Sequence, residues 1–306
     1  MSVLSRPYFH DEAKAFSYLE SVLWADGAVC PHCGGTDRIT KVKANPAKRI
    51  RLGLWRCGDC KKQFTVKVGT VFEHARIPLN KALQAVYLMT SSKKGISSHQ
   101  LHRVLEVTYK TAWFLAHRIR EAMRSGDLAP FGGEGGVVEV DETYIGRKPG
   151  VKKDRGMFHK VPVLTLVHRE SGQARSFVVD QALQENILPI VYENVQRETY
   201  MMTDESGLYV RRFRNVFLGH GTVAHTRGEY GRGPVHTNTV EGYFSIFKRG
   251  MKGVYQHCAE KHLHRYLVEF DFRYNNRVAL GVSDIDRTKA AIMGIEGKRL
   301  TYHQTH

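Results

Sequence analysis

The chain has 306 residues and a formal net charge of +16, with 46 Lys and Arg against 30 Asp and Glu. Its hydrophobic content of 42% is typical of a folded protein, and the absence of a run of 18 apolar residues excludes a membrane span of the usual kind. The positive charge favours a polyanionic partner such as DNA, with a basic protein that has no nucleic-acid role as the alternative.

Residues 11–24 begin the chain's predicted elements with a short amphipathic helix. Phe16, Leu19, Val22 and Leu23 fall on one stripe of that helix. The preceding residues lack the apolar core of a signal peptide, so we expect a cytoplasmic protein that needs no membrane.

Four of the five cysteines form two C-x-x-C pairs separated by 23 residues. Each pair can direct two thiolates at one tetrahedral ion, and a reducing compartment favours metal binding over disulfides. The spacing predicts a zinc ribbon with a structural Zn²⁺, and four unrelated buried cysteines are the alternative. The predicted zinc ligands are Cys30, Cys33, Cys57 and Cys60.

The ribbon also carries positive charge. Between Lys41 and Lys67 there are nine Lys and Arg and one acid, Asp59, with Trp55 and Phe64 interleaved. This composition predicts a DNA-facing surface, and a solvated basic face is the alternative.

Residues 79–123 predict three helices, at 79–89, 97–105 and 108–123. Gly95 supplies a stop, and Ser97 and Thr108 are predicted N-caps. The last two helices resemble a helix-turn-helix that would place Lys110 near DNA bases, and a plain helical hairpin is the alternative.

The Gly-rich stretch 125–136 is the clearest linker. After it, apolar and β-branched runs predict strands, and longer periodic runs predict helices. The predicted strands are 137–145, 161–168, 174–179 and 199–203, and the predicted helices are 186–195, 237–252 and 259–274. We therefore expect an α/β fold in three parts: 1–75 with the ribbon, 76–126 with the helix-turn-helix-like region, and 137–306 as a catalytic domain.

Three acids stand at positions suited to metal chemistry. Asp141 lies in the first strand of that domain, Asp204 follows the fourth, and Glu241 lies on the next helix. Mg²⁺ prefers carboxylate oxygens, and two such ions can catalyse phosphoryl transfer. Each acid could instead be a turn or cap residue. Other nearby acids compete with the three on composition alone: Glu139, Glu142, Asp180 and Glu205.

Helical spacing adds a base to this set. Asn238, Glu241, Ser245 and Lys248 are separated by three, four and three residues, which places them on one face of a helix. Lys248 could neutralise a phosphate beside the metal ions.

Several segments together resemble the DDE transposases of bacterial insertion sequences, in the ISXO2-like branch with an N-terminal zinc ribbon. The matching segments are CPHCGG at 30–35, VEVDETYIGRK at 138–148, TDESG at 203–207, HTNTVEG at 236–242, KRG at 248–250, FDFRYNNR at 270–277 and GKRLTY at 297–302. The resemblance spans nearly the whole chain.

This resemblance implies a ribonuclease-H-like mixed sheet with flanking helices and two Mg²⁺ (or Mn²⁺) ions. It implies DNA cleavage and strand transfer at terminal inverted repeats, with Asp141 and Asp204 as the first two catalytic acids. The third ligand is Glu241 or its rival Asn238, and we favour Glu241 because a carboxylate binds Mg²⁺ better than an amide.

Double-stranded DNA is the expected partner, and bringing two transposon ends together implies at least a dimer, associated with the nucleoid. The expected DNA contacts are Lys110, Arg147, Lys148, Lys152, Lys153 and Arg249. Two other functions stay open: a non-catalytic zinc-ribbon DNA-binding regulator, and a nuclease that cuts without joining.

Overall fold

A computed structural model describes residues 2–126, 128–153, 156–229 and 231–300. The α-helices are α1 (Glu12–Leu23), α2 (Leu79–Ser91), α3 (Ser98–Leu105), α4 (Tyr109–Met123), α5 (Gln184–Asn194), α6 (Val210–Phe213), α7 (Asn238–Gly250), α8 (Glu260–Asn275) and α9 (Asp284–Met293). The strands are β1 (Ile39–Lys41), β2 (Trp55–Cys57), β3 (Gln63–Phe64), β4 (Val137–Ile145), β5 (Val161–His168), β6 (Gln173–Val178), β7 (Tyr200–Asp204) and β8 (Gly219–Val223). No helix in the described part of the chain is long and apolar enough to cross a bilayer.

The chain divides into two compact units. The first comprises Met1–Arg124 together with Val282–His306, and the second comprises Ser125–Gly281. The predicted linker therefore begins where the second unit begins. The last residues group with the first unit, whereas the sequence assigned them to the catalytic domain.

The first unit holds the ribbon and a group of helices. Strands β1, β2 and β3 form an antiparallel sheet, and α2, α3 and α4 follow it. Both predicted caps are present: the Ser97 hydroxyl accepts the Gln100 amide, and the Thr108 hydroxyl accepts the Thr111 amide. Glu106 takes a left-handed conformation at the turn between α3 and α4. The predicted helix-turn-helix-like pair therefore forms, with the turn at 106–108.

The C-terminal helix α9 packs against α1, α2 and α4. The Thr288 and Thr90 hydroxyls lie 2.8 Å apart, and the Arg287 guanidinium donates to the Thr90 carbonyl at 3.0 Å. Ala291 and Ile292 are buried in the same unit. These contacts explain why 282–300 groups with the first unit, whereas the sequence predicted this segment as part of the domain 137–306.

The second unit is built on one mixed sheet, in the order β6-β5-β4-β7-β8. β4 pairs antiparallel with β5 and parallel with β7, and β7 pairs parallel with β8. Numbered within the unit, the order is 3-2-1-4-5 with only the second strand reversed. The sheet is therefore mixed, as predicted. Strand β8 has no counterpart among the strands predicted from the sequence.

Helices cover both faces of this sheet. On one face Val138 and Val140 pack with Ile187 and Val191 of α5. On the other face Val163 and Val167 form a core with side chains of α7 and α8. Because side chains alternate along a strand, Glu139, which lies between the two valines, points toward α7.

The second half of the predicted linker is part of this unit. Phe131 is buried and forms a parallel bridge with Val195. Gly132 has a positive φ, and a Cβ there would lie 2.0 Å from the Thr199 hydroxyl. The Gly-rich run therefore lets the backbone approach β7 closely, and only its first residues connect the two units.

Candidate functional site

The sheet register places two of the predicted acids side by side. Glu139 of β4 lies opposite Met202 of the parallel strand β7. Asp141 and Asp204 each lie two residues farther along their strands, at the same end of the sheet. Parallel strands thus bring together two residues that have 62 other residues between them in the sequence.

Helix α7 adds the third carboxylate. Its buried stripe of Val240, Phe244 and Phe247 packs on the sheet, which leaves Glu241 in its first turn near the end of β4. The Glu241 carboxylate accepts the Thr237 hydroxyl at 2.8 Å and lies 3.3 Å from Nε2 of His225.

Asp141 is affected by the charges of the other two predicted acids, Asp204 and Glu241. Burial and the Glu142 carboxylate raise the pKa of Asp141 to about 8, and the charges of Asp204 and Glu241 add to this rise. Burial raises the pKa of Glu142 to about 7, with a further contribution from Asp204. Crowded carboxylates of this kind are stabilised in their ionised form only when cations lie among them.

The rival ligand Asn238 is exposed at the first position of α7, one turn before Glu241. Of these two side chains, Glu241 carries a charge and Asn238 does not, and the Glu241 charge acts on Asp141. The geometry is compatible with our preference for Glu241 as third ligand, which stays a prediction.

The four competing acids have different surroundings. Asp180 is exposed after β6, and Glu205 binds the backbone amide of Thr226 at 3.1 Å. Glu142 lies within the carboxylate group itself, and Glu139 is fully buried between β4 and the start of α7.

A groove of about 800 Å³ lies in the second unit beside the acids. Glu142 lines it, and Lys248 lines it from α7. Burial lowers the pKa of Lys248, the Asp141 charge raises it, and the Lys252 and Lys160 charges lower it further. Several cations therefore face one cavity, which suits a phosphate backbone. The cations lining the groove are Arg147, Lys160, Lys248, Lys252 and, if protonated, His257.

The predicted DNA contacts after β4 lie on one loop, of which only Arg147 also lines the groove. Arg147 donates to the Val151 carbonyl at 3.1 Å, which shapes the loop after β4, and Lys148 donates to the Asp180 carbonyl at 2.5 Å. Lys152 and Lys153 are exposed on the same loop. The rest of that basic segment, 154–155, lies outside the described residues, as do the last two positions of the 297–302 match.

Two predicted contacts lie on helices. Arg249 is exposed on α7, where it donates to the Ser245 hydroxyl. Lys110 is exposed in the first turn of α4 in the first unit, at the start of the predicted recognition helix.

The carboxylates fit divalent cations by their chemistry. Asp141, Asp204 and Glu241 offer hard oxygen ligands. Burial raises the pKa of Asp141, and the charges of the neighbouring carboxylates add to the rise. Within the described residues their oxygens do not gather within 4.8 Å of one another as the thiols of the ribbon do.

The four predicted zinc ligands converge in the first unit. Their sulfurs all lie within 4.8 Å of one another, with Cys30 to Cys60 at 3.6 Å and Cys33 to Cys57 at 3.7 Å. A tetrahedral zinc with Zn–S bonds of about 2.3 Å separates its sulfurs by about 3.8 Å. The cluster fits one structural Zn²⁺.

Three residues lie at the site without being among those predicted from the sequence: His225, Lys160 and Lys252. His225 lies beyond β8, a strand that the pattern did not reveal, and the two lysines are ordinary surface cations in the sequence. A signal existed for Lys252 alone: it follows Lys248 by one helical turn.

Comparisons with known proteins cover most of the chain. Residues 134–275 match the ISXO2-like transposase domain, and residues 10–63 match the transposase zinc-ribbon domain. The "uncharacterized protein in transposable element ISH50" of Halobacterium salinarum is 29% identical over 288 residues, which is 87% of this chain and 91% of that protein.

A solved structure is similar at a more distant level. It is the cryo-EM structure of a simian T-cell lymphotropic virus intasome in complex with PP2A regulatory subunit B56 gamma, with 13% identity and a TM-score of 0.31. The match covers 62% of this chain and 65% of that one. A likeness of this strength carries no argument about function.

Proposed function

We propose that this chain, which carries an ISXO2-like transposase domain behind a transposase zinc ribbon, is a DNA transposase that cuts and joins the ends of an insertion sequence. The observation that carries the proposal is the pair Asp141 and Asp204, at the same end of neighbouring parallel strands with the Glu241 charge acting on Asp141. Such a cluster serves metal-assisted phosphoryl transfer.

Asp141, Asp204 and Glu241 would hold two Mg²⁺ (or Mn²⁺) ions. When bound, the ions activate the attacking oxygen and stabilise the leaving one. Asn238 is positioned to contact the ions or the DNA from the preceding turn. Tyr209 and Tyr243 are fully buried, which makes them packing residues rather than nucleophiles.

The groove beside the acids gives the DNA strand a route to the reacting phosphate. Lys248 approaches both the Asp141 charge and the groove, so it neutralises a phosphate at the boundary between them. Lys160 and Lys252 extend the positive surface away from the acids. The exposed Lys152, Lys153 and Arg249 reach DNA outside the groove.

The zinc ribbon and the helix pair α3–α4 bind the terminal inverted repeat, with Lys110 at the start of the recognition helix. Both halves of this binding surface lie in the first unit. We expect the protein to act in the cytoplasm as an oligomer, at least a dimer, because two transposon ends must be held together.

The test is an assay of purified protein on DNA that carries the element's end, with Mg²⁺ present. We expect joined products, and we expect Asp141→Ala and Asp204→Ala to reduce them by more than the 10–100-fold that loss of an outer-shell partner typically costs. Asp180→Asn is the matched control, since Asp180 is an exposed acid at the end of another strand of the same sheet.

The outcomes separate the three functions. Cleavage without joining favours the nuclease, and end binding with no reaction favours the regulator. Full activity in Glu241→Gln with loss in Asn238→Ala would transfer the third ligand to Asn238.

A further inference from the structure

Glu139 occupies the space between the strand that carries Asp141 and the helix that carries Glu241. Its side chain is fully buried and pairs with Arg169, although glutamate side chains usually lie at the surface. A buried carboxylate is costly unless hydrogen bonds and a counter-charge stabilise it. Glu139 has both.

One oxygen of Glu139 caps helix α7. Oε2 accepts the backbone amides of Thr239 and Val240, each at 2.9 Å. These amides belong to the first turn of the helix, where no carbonyl is available to accept them. The N-cap residue Thr237 makes no side-chain cap bond and instead binds Glu241. The capping group therefore comes from β4 rather than from the helix itself.

The other oxygen holds the segment that leads into the helix. Oε1 accepts the Thr239 hydroxyl at 2.7 Å and the Arg169 Nε at 2.6 Å. The same guanidinium donates to the carbonyls of Pro234 and His236, both at 2.6 Å. Arg169 thus joins Glu139 to the chain immediately before α7, and the ion pair compensates the buried charge.

The position of Glu139 relates this contact to the proposed active site. Glu139 and Asp141 are two residues apart on β4 and face the same layer. The amides that Glu139 accepts lie between Asn238 and Glu241 in the sequence. Whatever fixes these amides against β4 also fixes both candidate third ligands relative to Asp141.

We propose that Glu139, paired with Arg169, is a positioning residue that sets the distance between Asp141 and the third metal ligand on α7. This inference rests on the proposed function for its metal ions, but the contact itself does not. Outer-shell partners of metal ligands typically contribute 10–100-fold to metal affinity or activity, and we expect Glu139 to fall in that range.

The test variant is Glu139→Gln in the full chain. Both oxygens of Glu139 accept hydrogen bonds, so the amide nitrogen of glutamine must face a donor on one side. We expect Mn²⁺ affinity, measured by electron paramagnetic resonance of the free ion, to fall about 10–100-fold. We also expect faster hydrogen exchange in peptides covering 236–244.

The matched control is Glu269→Gln. Glu269 is a fully buried acid of the same unit, paired with Arg273 on α8 and accepting the Tyr255 hydroxyl. A general loss of stability should affect both variants, whereas reduced Mn²⁺ affinity and faster exchange at 236–244 should appear in Glu139→Gln alone.

The outcomes distinguish the two proposals. If Asp141→Ala removes Mn²⁺ binding and Glu139→Gln binds Mn²⁺ like the wild type, the positioning role is wrong and the metal site stands. If Asp141→Ala also binds Mn²⁺ like the wild type, the proposed metal site fails, and unchanged exchange at 236–244 in Glu139→Gln would overturn the contact as well.

Discussion

At the scale of single residues, the Asp141 carboxylate lies half-buried at the end of β4, where burial and neighbouring charges raise its pKa to about 8. Glu142 beside it has a pKa of about 7, again mainly through burial. Both values exceed the ordinary values of about 4 for these side chains. A carboxyl group whose pKa is raised on folding contributes less and less stability as the pH rises above its unfolded-state pKa, so this site costs stability at neutral pH.

The sign of this effect gives a pH dependence. The folded chain holds protons on Asp141 and Glu142 that the unfolded chain releases near pH 4. Without metal, the stability contributed by these groups is therefore fully present below about pH 4 and is lost as the pH rises toward 8. With Mg²⁺ present, the ionised forms are favoured and the loss should be reduced.

We predict that Asp141→Asn raises the melting temperature at pH 8 without added Mg²⁺ by a few degrees, because the amide removes a charge from a crowded site. Thermal melts of protein that keeps its zinc, without added Mg²⁺ and with Mg²⁺, at pH 6 and pH 8, measure this, so no chelator is used. The variant should also lose the stabilisation by Mg²⁺. Asp180→Asn should match the wild type throughout, and an Asp141→Asn variant that melted at or below the wild-type temperature at pH 8 without Mg²⁺ would contradict the prediction.

At the scale of elements, the zinc ribbon depends on contacts beyond its four thiols. Cys30, Cys57 and Phe64 form a small core, and Trp24 and Trp55 pack against it. Glu20 of α1 accepts the Trp55 indole at 2.8 Å and pairs with Lys41 at 2.6 Å. Helix α1 is thus fixed to the ribbon, and a core this small needs metal to remain folded.

We predict that Cys57→Ser reduces bound zinc from about one ion per chain to nearly none, because three thiolates leave the tetrahedral site incomplete. Trp24 and Trp55 should become more exposed, which shifts fluorescence to longer wavelength. Atomic absorption of freshly purified protein and emission spectra provide the measurements.

The chain offers a control in Cys258, a cysteine outside the cluster. Cys258→Ser should keep the zinc and the emission spectrum of the wild type. Retention of a full equivalent of zinc by Cys57→Ser would contradict the assignment of the ribbon.

At the scale of the whole molecule, the chain order differs from the spatial grouping. The second unit is continuous, whereas the first unit combines the N-terminal 124 residues with the segment after Gly281. Helix α9 completes the packing around α2 by burying Ile292, while the next residue, Met293, is exposed. The first unit therefore needs the last part of the chain.

We predict that Ile292→Ala destabilises the first unit by about 2–4 kcal/mol, because it leaves a cavity in a buried site. Hydrogen exchange should accelerate in α2 and remain unchanged in β4 and β5. Met293→Ala is the control at the adjacent exposed position and should have little effect. Faster exchange in β4 and β5, with α2 unchanged, would place α9 with the sheet after all.

Features that depend on short-range pattern are readable from the sequence alone. The C-x-x-C spacing identified four thiols that converge, because each pair is local and requires one tight turn. The strands 137–145 and 161–168 and the caps Ser97 and Thr108 were predicted correctly, since β-branched runs and cap residues act within a few positions.

Features that depend on pairing between distant residues are fixed only when the chain is folded. Composition does not distinguish Glu139 from Asp141. The pairing of β4 with β7 puts Asp141 and Asp204 at the same end of neighbouring strands, whereas Glu139 is buried against the first turn of α7. Strand β8 is Gly-rich and lacks an apolar pattern, so its place at the edge of the sheet is fixed by β7. Helix α9 joins the first unit because its apolar side is buried there, and no local signal in the sequence specifies which surface that will be.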